Sequence, residues 1–358
     1  MRIAFLVHDY RRVEGHSRYV VELANRFARD HEVHVWASVI EERTNPAVTL
    51  HRVKAWKGST LAHVLSYGLA APRRLLDVFD IVHTQGWCGP AGNVVTAHIA
   101  NRAWQRALAS SGGSLSARTR IGSRIFSSLE DRLYRRLDSA EVIAVSERVA
   151  CDLRQCYACT APITVIHHGV DLDTFRPGAY GEQRNQIREK WGIEAGAPVF
   201  LFVGDPRKGL RQAMAAAGRV AGGRLLVVSR GAPPAALPER VHWAGPTTQV
   251  EHFHAAADAL VLPTPYDAFG MAASEAMASG LPVVVSRAAG VAELIEHGVN
   301  GLLLDDFTSV SELAEKMEAA AAARDRLGRA ARRSMETRSW EQAARETMAV
   351  YRRVANVQ

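Results

Sequence analysis

Short apolar runs, each strand-length and each followed by a helical stretch, recur along the 358-residue chain and limit its fold more than any other feature. The first is IAFLV at 3–7, followed by the polar loop HDYRRVEGH and a helical segment with Val20, Leu23, Ala24 and Phe27 on one face. Runs at 31–36, 80–83, 93–96, 141–146 and 163–166 continue the series. After a linker at 177–181 the pattern restarts with VFLFV at 199–203 and goes on through 225–229, 241–244, 259–262 and 283–286. A β-α-β opening that restarts predicts an α/β protein of two doubly wound, Rossmann-like domains, and the chain is long enough to bury two cores. The expected bounds are 1–176 and 177–338. A last helix is expected over 339–358, where Ser339, Trp340 and Glu341 read as an N-cap and first turn.

Composition excludes several classes. Hydrophobic residues make up 47% and charged residues 23%, as in soluble globular proteins. The longest apolar runs are far too short to cross a bilayer, and the opening MRIAFLVHDY has no leader-like core, so a cytoplasmic location is expected. Cys88, Cys151, Cys156 and Cys159 are too few for a disulfide framework. The spacing of the last three matches plant-type iron–sulfur proteins, with Cys88 or His167 as a conceivable fourth ligand. Their setting, a surface helix running into a turn, favours idle thiols.

The stretch ALVLPTPYDAFGMAASEAMASGLPVVVS reads as strand, loop, short helix and strand, with the helix opening near Gly270 and stopped by Gly280 and Pro282. A helix N-terminus offers unpaired backbone N–H groups, so a phosphate site is expected at Phe269, Gly270 and Met271. Small and apolar neighbours bury the helix, and its Glu275 then needs partners. Asp267 on the preceding loop places a second carboxylate at the same helix end. Phosphate and hydroxyl groups on one ligand suit such a pair.

Asp267 and Glu275, eight residues apart, resemble the E-x7-E signature of retaining, nucleotide-sugar-dependent glycosyltransferases of the GT-B fold, family 4 type, with Asp in place of the first Glu. Two further stretches support the resemblance. HHGVDLDTFRP at 167–177 matches the family's P-N-G-V-D-x-x-x-F-x-P, with His167 and His168 replacing Pro and Asn. Gly290 to Glu293 matches the family's turn beside the donor. The resemblance implies two domains facing across a cleft, the first binding acceptor and the second nucleotide-sugar, with the last helix crossing back to the first. It also implies that Glu275 holds the ribose, Asp267 the donor sugar and His98 the sugar from the opposite domain. Gly15 stands alone in the first loop, where the family often has a pair.

Arg207 and Lys208, between Gly204 and Gly209, can neutralise a diphosphate. The family has Arg directly after the first glycine; here that residue is Asp205. No metal or other cofactor is expected, because no further acids converge on Asp171 and Asp173. The expected partners are a nucleoside-diphosphate-sugar, UDP before GDP, and a cell-envelope glycan or glycolipid of lipopolysaccharide type. Alternatives are an epimerase or phosphorylase on the same scaffold, or a basic nucleic-acid-binding protein. Phosphorylases need a cofactor lysine and longer chains. The pI of about 9.5 invites the nucleic-acid reading, but no aromatic residues interleave with the basic ones, so no nucleic acid is expected. Eight arginines face only Glu130 and Asp131 over 102–136, which suggests contact with an anionic membrane surface. Within that segment Ile125, Leu129, Leu133 and Leu137 form a stripe that suits packing on the first sheet.

Overall fold

The computed structural model describes residues 1–12, 15–89, 92–110, 117–137 and 140–356. It divides into two compact units: 1–106, 114–169 and 340–358 form the first, and 107–113 with 170–339 form the second. The first contains β1 (Arg2–Leu6), β2 (Asp9–Tyr10), α1 (Gly15–Phe27), β3 (Glu32–Ala37), β4 (Val39–Ile40), β5 (Val48–Arg52), α2 (Thr60–Ala70), β6 (Ile81–Gln85) and β7 (Val94–Ala97). Then follow α3 (Asn101–Ser110), whose last four residues group with the second unit, α4 (Ala117–Tyr134), β8 (Glu141–Ala144), α5 (Glu147–Tyr157) and β9 (Ile163–Val165). Seven strands pair in parallel in the order β5-β3-β1-β6-β7-β8-β9, and β2 and β4 form a separate pair.

The second unit contains α6 (Gly181–Lys190), β10 (Val199–Val203), α7 (Leu210–Ala217), β11 (Arg224–Val228), β12 (Val241–Trp243), α8 (Val250–Ala256) and β13 (Ala259–Leu262). It continues with α9 (Met271–Ala278), β14 (Val283–Ser286), β15 (Leu302–Leu304), α10 (Val310–Ala322) and α11 (Arg324–Met335). Its six parallel strands run β12-β11-β10-β13-β14-β15. Alternate residues face opposite ways along a strand. Val199, Leu201, Leu260 and Val283 accordingly join one core, and Phe200, Phe202, Val261 and Val284 the other. Covering both faces is what lets these strands read as unbroken apolar runs.

The last helix, α12 (Trp340–Asn356), belongs to the first unit, as the sequence led one to expect. Tyr351 packs on Phe27 of α1, and its hydroxyl lies 2.6 Å from His83 Nδ1 at the centre of the first sheet. Glu341 takes Arg26 at 2.9 Å and Arg29 at 3.2 Å. Val170 and Phe175, which the sequence places before the boundary, lie in the second unit's core. The Val170 N–H also donates to the Arg338 carbonyl, which ties the segment at 170 to that unit.

Candidate active site

Within the second unit the loops after β10 and β13 meet at the carboxyl ends of adjacent strands, where open parallel sheets build ligand sites. Gly209 makes the meeting possible. Its φ is +94°, and a Cβ there would come within 2.0 Å of the Pro263 carbonyl oxygen, so only glycine fits. The short turn Pro206–Lys208 just before it thereby carries Lys208 to the second loop. Lys208 Nζ donates to Asp267 Oδ2 at 2.6 Å, with the lysine about one-third exposed and the aspartate nearly buried.

Asp267 is fixed by its backbone as well. Its N–H donates to the Ala288 carbonyl and its carbonyl accepts from Gly290 N–H, which anchors the loop to the turn at 288–291. Gly270 follows at φ +104°, with a would-be Cβ 2.9 Å from Val291 Cγ1. This left-handed residue turns the chain into α9. Ala273 and Ser274 N–H both point to the Gly270 carbonyl. Helix geometry leaves the amides of Met271 and Ala272 without an intrahelical acceptor. An anion beside Lys208 would meet those amides and the positive helix end together. Glu275, one turn into α9, is buried.

Arg207 is held differently. Its Nε donates to Asp205 Oδ1 at 2.9 Å and its Nη2 to Oδ2 at 2.7 Å, a two-pronged pair that keeps the Asp205 carboxyl below its ordinary range. The acid standing where the family has arginine therefore takes the fork of Arg207. Lys208 is the cation that reaches Asp267.

In the first unit His98 lies just beyond β7. Its Nε2 faces Gln85 Oε1 at 2.8 Å, and Gln85 ends the neighbouring strand β6 opposite Thr96. His168, His16 and Tyr19 rings surround it at 5.2–6.1 Å between centroids. Burial first, then the neighbouring His168 and His16, push the His98 pKa well below the ordinary imidazole value, so the ring is neutral near pH 7. A cavity of about 240 Å³ opens beside it, lined by Val64, Trp87, Phe126 and Leu129 on its apolar side and by Gln85 and Glu130 on its polar side. Burial pushes Glu130 up to about 7, against the donors Tyr157 and Asn101, which lower it. Gly15 is the exposed first residue of α1.

Sequence reasoning did not single out Gln85 or Trp87, and it named Glu130 only in a count of charges. For Gln85 the one available signal was a polar residue at the end of an apolar run. The arginine-rich segment is mixed. Leu133 and Leu137 are buried and Ile125 and Leu129 half-buried, so the stripe packs inward. Arg102 also turns inward, over the Tyr157 ring at 4.8 Å and toward Asp131. Arg120 and Arg124 are exposed; 111–116 and the Arg118 side chain lie outside the described residues. Cys151 is exposed, Cys156 and Cys159 are buried, and all three are free. Among the described residues no three metal-ligating side chains converge.

The family model for glycosyl transferases group 1 matches residues 197–322, and that for Glycosyltransferase Family 4 matches 13–174. The chain belongs to the group 1, family 4 glycosyltransferases. It is 29% identical over 309 residues to D-inositol 3-phosphate glycosyltransferase of Mycobacterium tuberculosis, covering 77% of this chain and 62% of that one. It spans about three fifths of the length of the curated relatives it matches. The crystal structure of WaaG, a glycosyltransferase involved in lipopolysaccharide biosynthesis, superposes with a TM-score of 0.80 at 21% identity, covering 98% of this chain and 99% of WaaG. Anabaena Alr3699/HepE in complex with UDP and glucose superposes with a TM-score of 0.72 at 17% identity, covering 99% and 100%. The fold of the family member is thus GT-B, two parallel-sheet α/β domains.

Proposed function

We propose that this family member transfers a sugar from a nucleoside-diphosphate-sugar, UDP before GDP, to a membrane-borne cell-envelope glycolipid or lipopolysaccharide-type glycan, with retention at the anomeric carbon. The observation that carries the reading is the Lys208–Asp267 pair set beside the α9 N-terminus, a cation, a carboxylate and free helix amides in one place. Lys208 and the Met271 and Ala272 amides would meet the diphosphate, Asp267 the sugar and buried Glu275 the ribose. As the bond to the anomeric carbon breaks, negative charge grows on the departing diphosphate, and donors fixed in advance lower that barrier. Retention would follow if the acceptor hydroxyl attacks on the face the diphosphate leaves, its proton passing to the leaving phosphate oxygen. The role of Arg207 would be steering, since Asp205 already takes its fork.

HepE, of the same fold, was solved with UDP and glucose, which supports the choice of UDP. WaaG supports an acceptor of lipopolysaccharide type, and the apolar-sided cavity in the first unit suits an acceptor with apolar groups beside its hydroxyls. Metal independence is part of the proposal. Calorimetry should show UDP binding more tightly than GDP, and transfer should survive excess EDTA. Product anomers read by NMR should keep the donor configuration. Loss of turnover in EDTA, restored by magnesium or manganese, would remove metal independence. Binding of neither nucleotide would remove the function.

A further inference from the structure

Among the described residues six large hydrophobic side chains are exposed, and four of them, Trp56, Leu69, Leu76 and Val78, fall between β5 and β6. They are the outward residues of a packed layer. Val53, Tyr67, Ala71 and Phe79 of the same stretch bury together in one core cluster. The Trp56 backbone N–H donates to Ser66 Oγ at 2.8 Å, and Leu69 lies one turn beyond Ser66 on the same face of α2. Trp56 and Leu69 are 71% and 74% exposed. α2 cannot roll to hide Leu69, because Gly68 is packed against the loop before β7: a Cβ on Gly89 would come within 2.4 Å of the Gly68 carbonyl oxygen.

The charge around these side chains is one-sided. Arg52, Lys54, Lys57, Arg73 and Arg74 are exposed in the same stretch, against Asp77 and Asp80. Asp77 accepts from Arg74 at 2.6 Å and Asp80 from the Arg2 backbone N–H at 2.7 Å. Exposed apolar side chains in a stretch whose exposed charges are mostly cationic match an anionic bilayer surface: tryptophan and leucine enter the headgroup boundary while lysine and arginine meet lipid phosphates. Among the described residues no helix is long and apolar enough to cross a membrane, so the contact is with its surface. The arginines of α4 offer less, because only Ile121 among their large apolar neighbours is exposed.

We propose that the 52–78 face of the first unit docks on anionic membrane, with Trp56 and Leu69 inserted at headgroup level and Lys54 and Lys57 above the lipid phosphates. This rests on the reading that the acceptor is membrane-borne, and it names the surface that brings the enzyme there.

Flotation of the full chain with vesicles of equimolar phosphatidylglycerol and phosphatidylcholine, and with phosphatidylcholine alone, tests it. At low salt the protein should float with the anionic vesicles and be released by higher salt. Trp56→Ser/Leu69→Ser should lower the bound-to-free ratio about tenfold or more with unchanged thermal unfolding, since both side chains leave the core untouched. Lys54→Ser/Lys57→Ser should weaken binding and flatten its salt dependence. Wild-type protein left in solution by both vesicle types overturns the proposal. So does wild-type flotation of Trp56→Ser/Leu69→Ser alongside loss in Arg120→Ser/Arg124→Ser. A concentration-dependent dimer abolished by Trp56→Ser/Leu69→Ser, without vesicle binding, would assign the face to a second copy instead. UDP binding followed in parallel separates this proposal from the transferase reading: flotation lost with UDP bound sinks only the docking surface, and UDP binding lost with flotation kept sinks only the transferase.

Discussion

Replacing Gly209 with alanine should damage the second unit more than any glycine change of the same backbone conformation elsewhere in it. The natural control is Gly196, whose φ of +90° nearly equals the +94° of Gly209 but whose Cβ would meet nothing within 4 Å. An L-residue in left-handed backbone costs about 1–2 kcal/mol, and both variants bear that cost. Gly209→Ala adds a methyl 2.0 Å from the Pro263 carbonyl, and neither partner is the loose end of a side chain. Backbone must shift, at about 1–3 kcal/mol more. The total is about 2–5 kcal/mol against about 1–2 for the control. For a unit of this size each kcal/mol lowers Tm by about 2–4 °C, so Gly209→Ala should unfold about 4–20 °C early and Gly196→Ala about 2–8 °C early, with the larger loss always in Gly209→Ala. Differential scanning calorimetry reads both, and UDP titration of the folded proteins should show weaker binding only for Gly209→Ala, because the shift carries Lys208 away from Asp267. Equal Tm losses in the two variants would refute the claim that close backbone approach fixes this loop.

Glu275→Ala should weaken UDP binding at least tenfold, about 1.4 kcal/mol, when measured calorimetrically; unchanged affinity would make Glu275 a satisfied core acid. His98→Ala should slow turnover more than it weakens UDP binding, and an effect on nucleotide affinity alone would place His98 elsewhere in the reaction. Stability should also fall on acidification because of His83, which burial alone pushes down to about 3 between Tyr351 and Thr96. Below about pH 6.5 the unfolded chain takes up a proton that folded His83 refuses, so stability rises with pH from about 3 to 6.5 and this contribution is flat above. From pH 7 to 5 the loss is about 2 kcal/mol from this one ring. His83→Gln should show a shallower fall in urea midpoint over that range; an identical fall would mean that the ring is protonated in the folded state.

The central strands, such as β1, β10, β13 and β14, were legible because both faces of each sheet are covered there, which turns them into unbroken apolar runs. The edge strand β5, VTLHR, is only partly buried, and no run marked it. The helix at 271–278 and the acids Asp267 and Glu275 were legible for a local reason, since the strand, loop, helix and stop sit within one stretch. What the sequence hid was pairing over distance. Lys208 and Asp267 are partners across 59 residues, and only the approach of Gly209 to Pro263 brings them together. Arg207 shows the converse: its partner Asp205 was in plain view two residues away, but whether a guanidinium folds back on a neighbour or reaches outward depends on the turn at 206–208. Charge counting is likewise blind to direction over 102–136, where Arg106, Arg120, Arg124, Arg132, Arg135 and Arg136 are exposed and Arg102 is not. Eight arginines in one segment implied one basic surface, yet a helix distributes its residues around its axis, and Arg102 was drawn inward by Tyr157 and Asp131. Two of the apolar residues that do remain outside, Trp56 and Leu69, escaped notice because exposure leaves no periodic trace. A lone outward leucine on a short helix reads the same as one that packs. Only the hydrogen bond from Trp56 to Ser66 and the Gly68–Gly89 contact show which way that helix is turned, and hence that its outward face is held open by the fold.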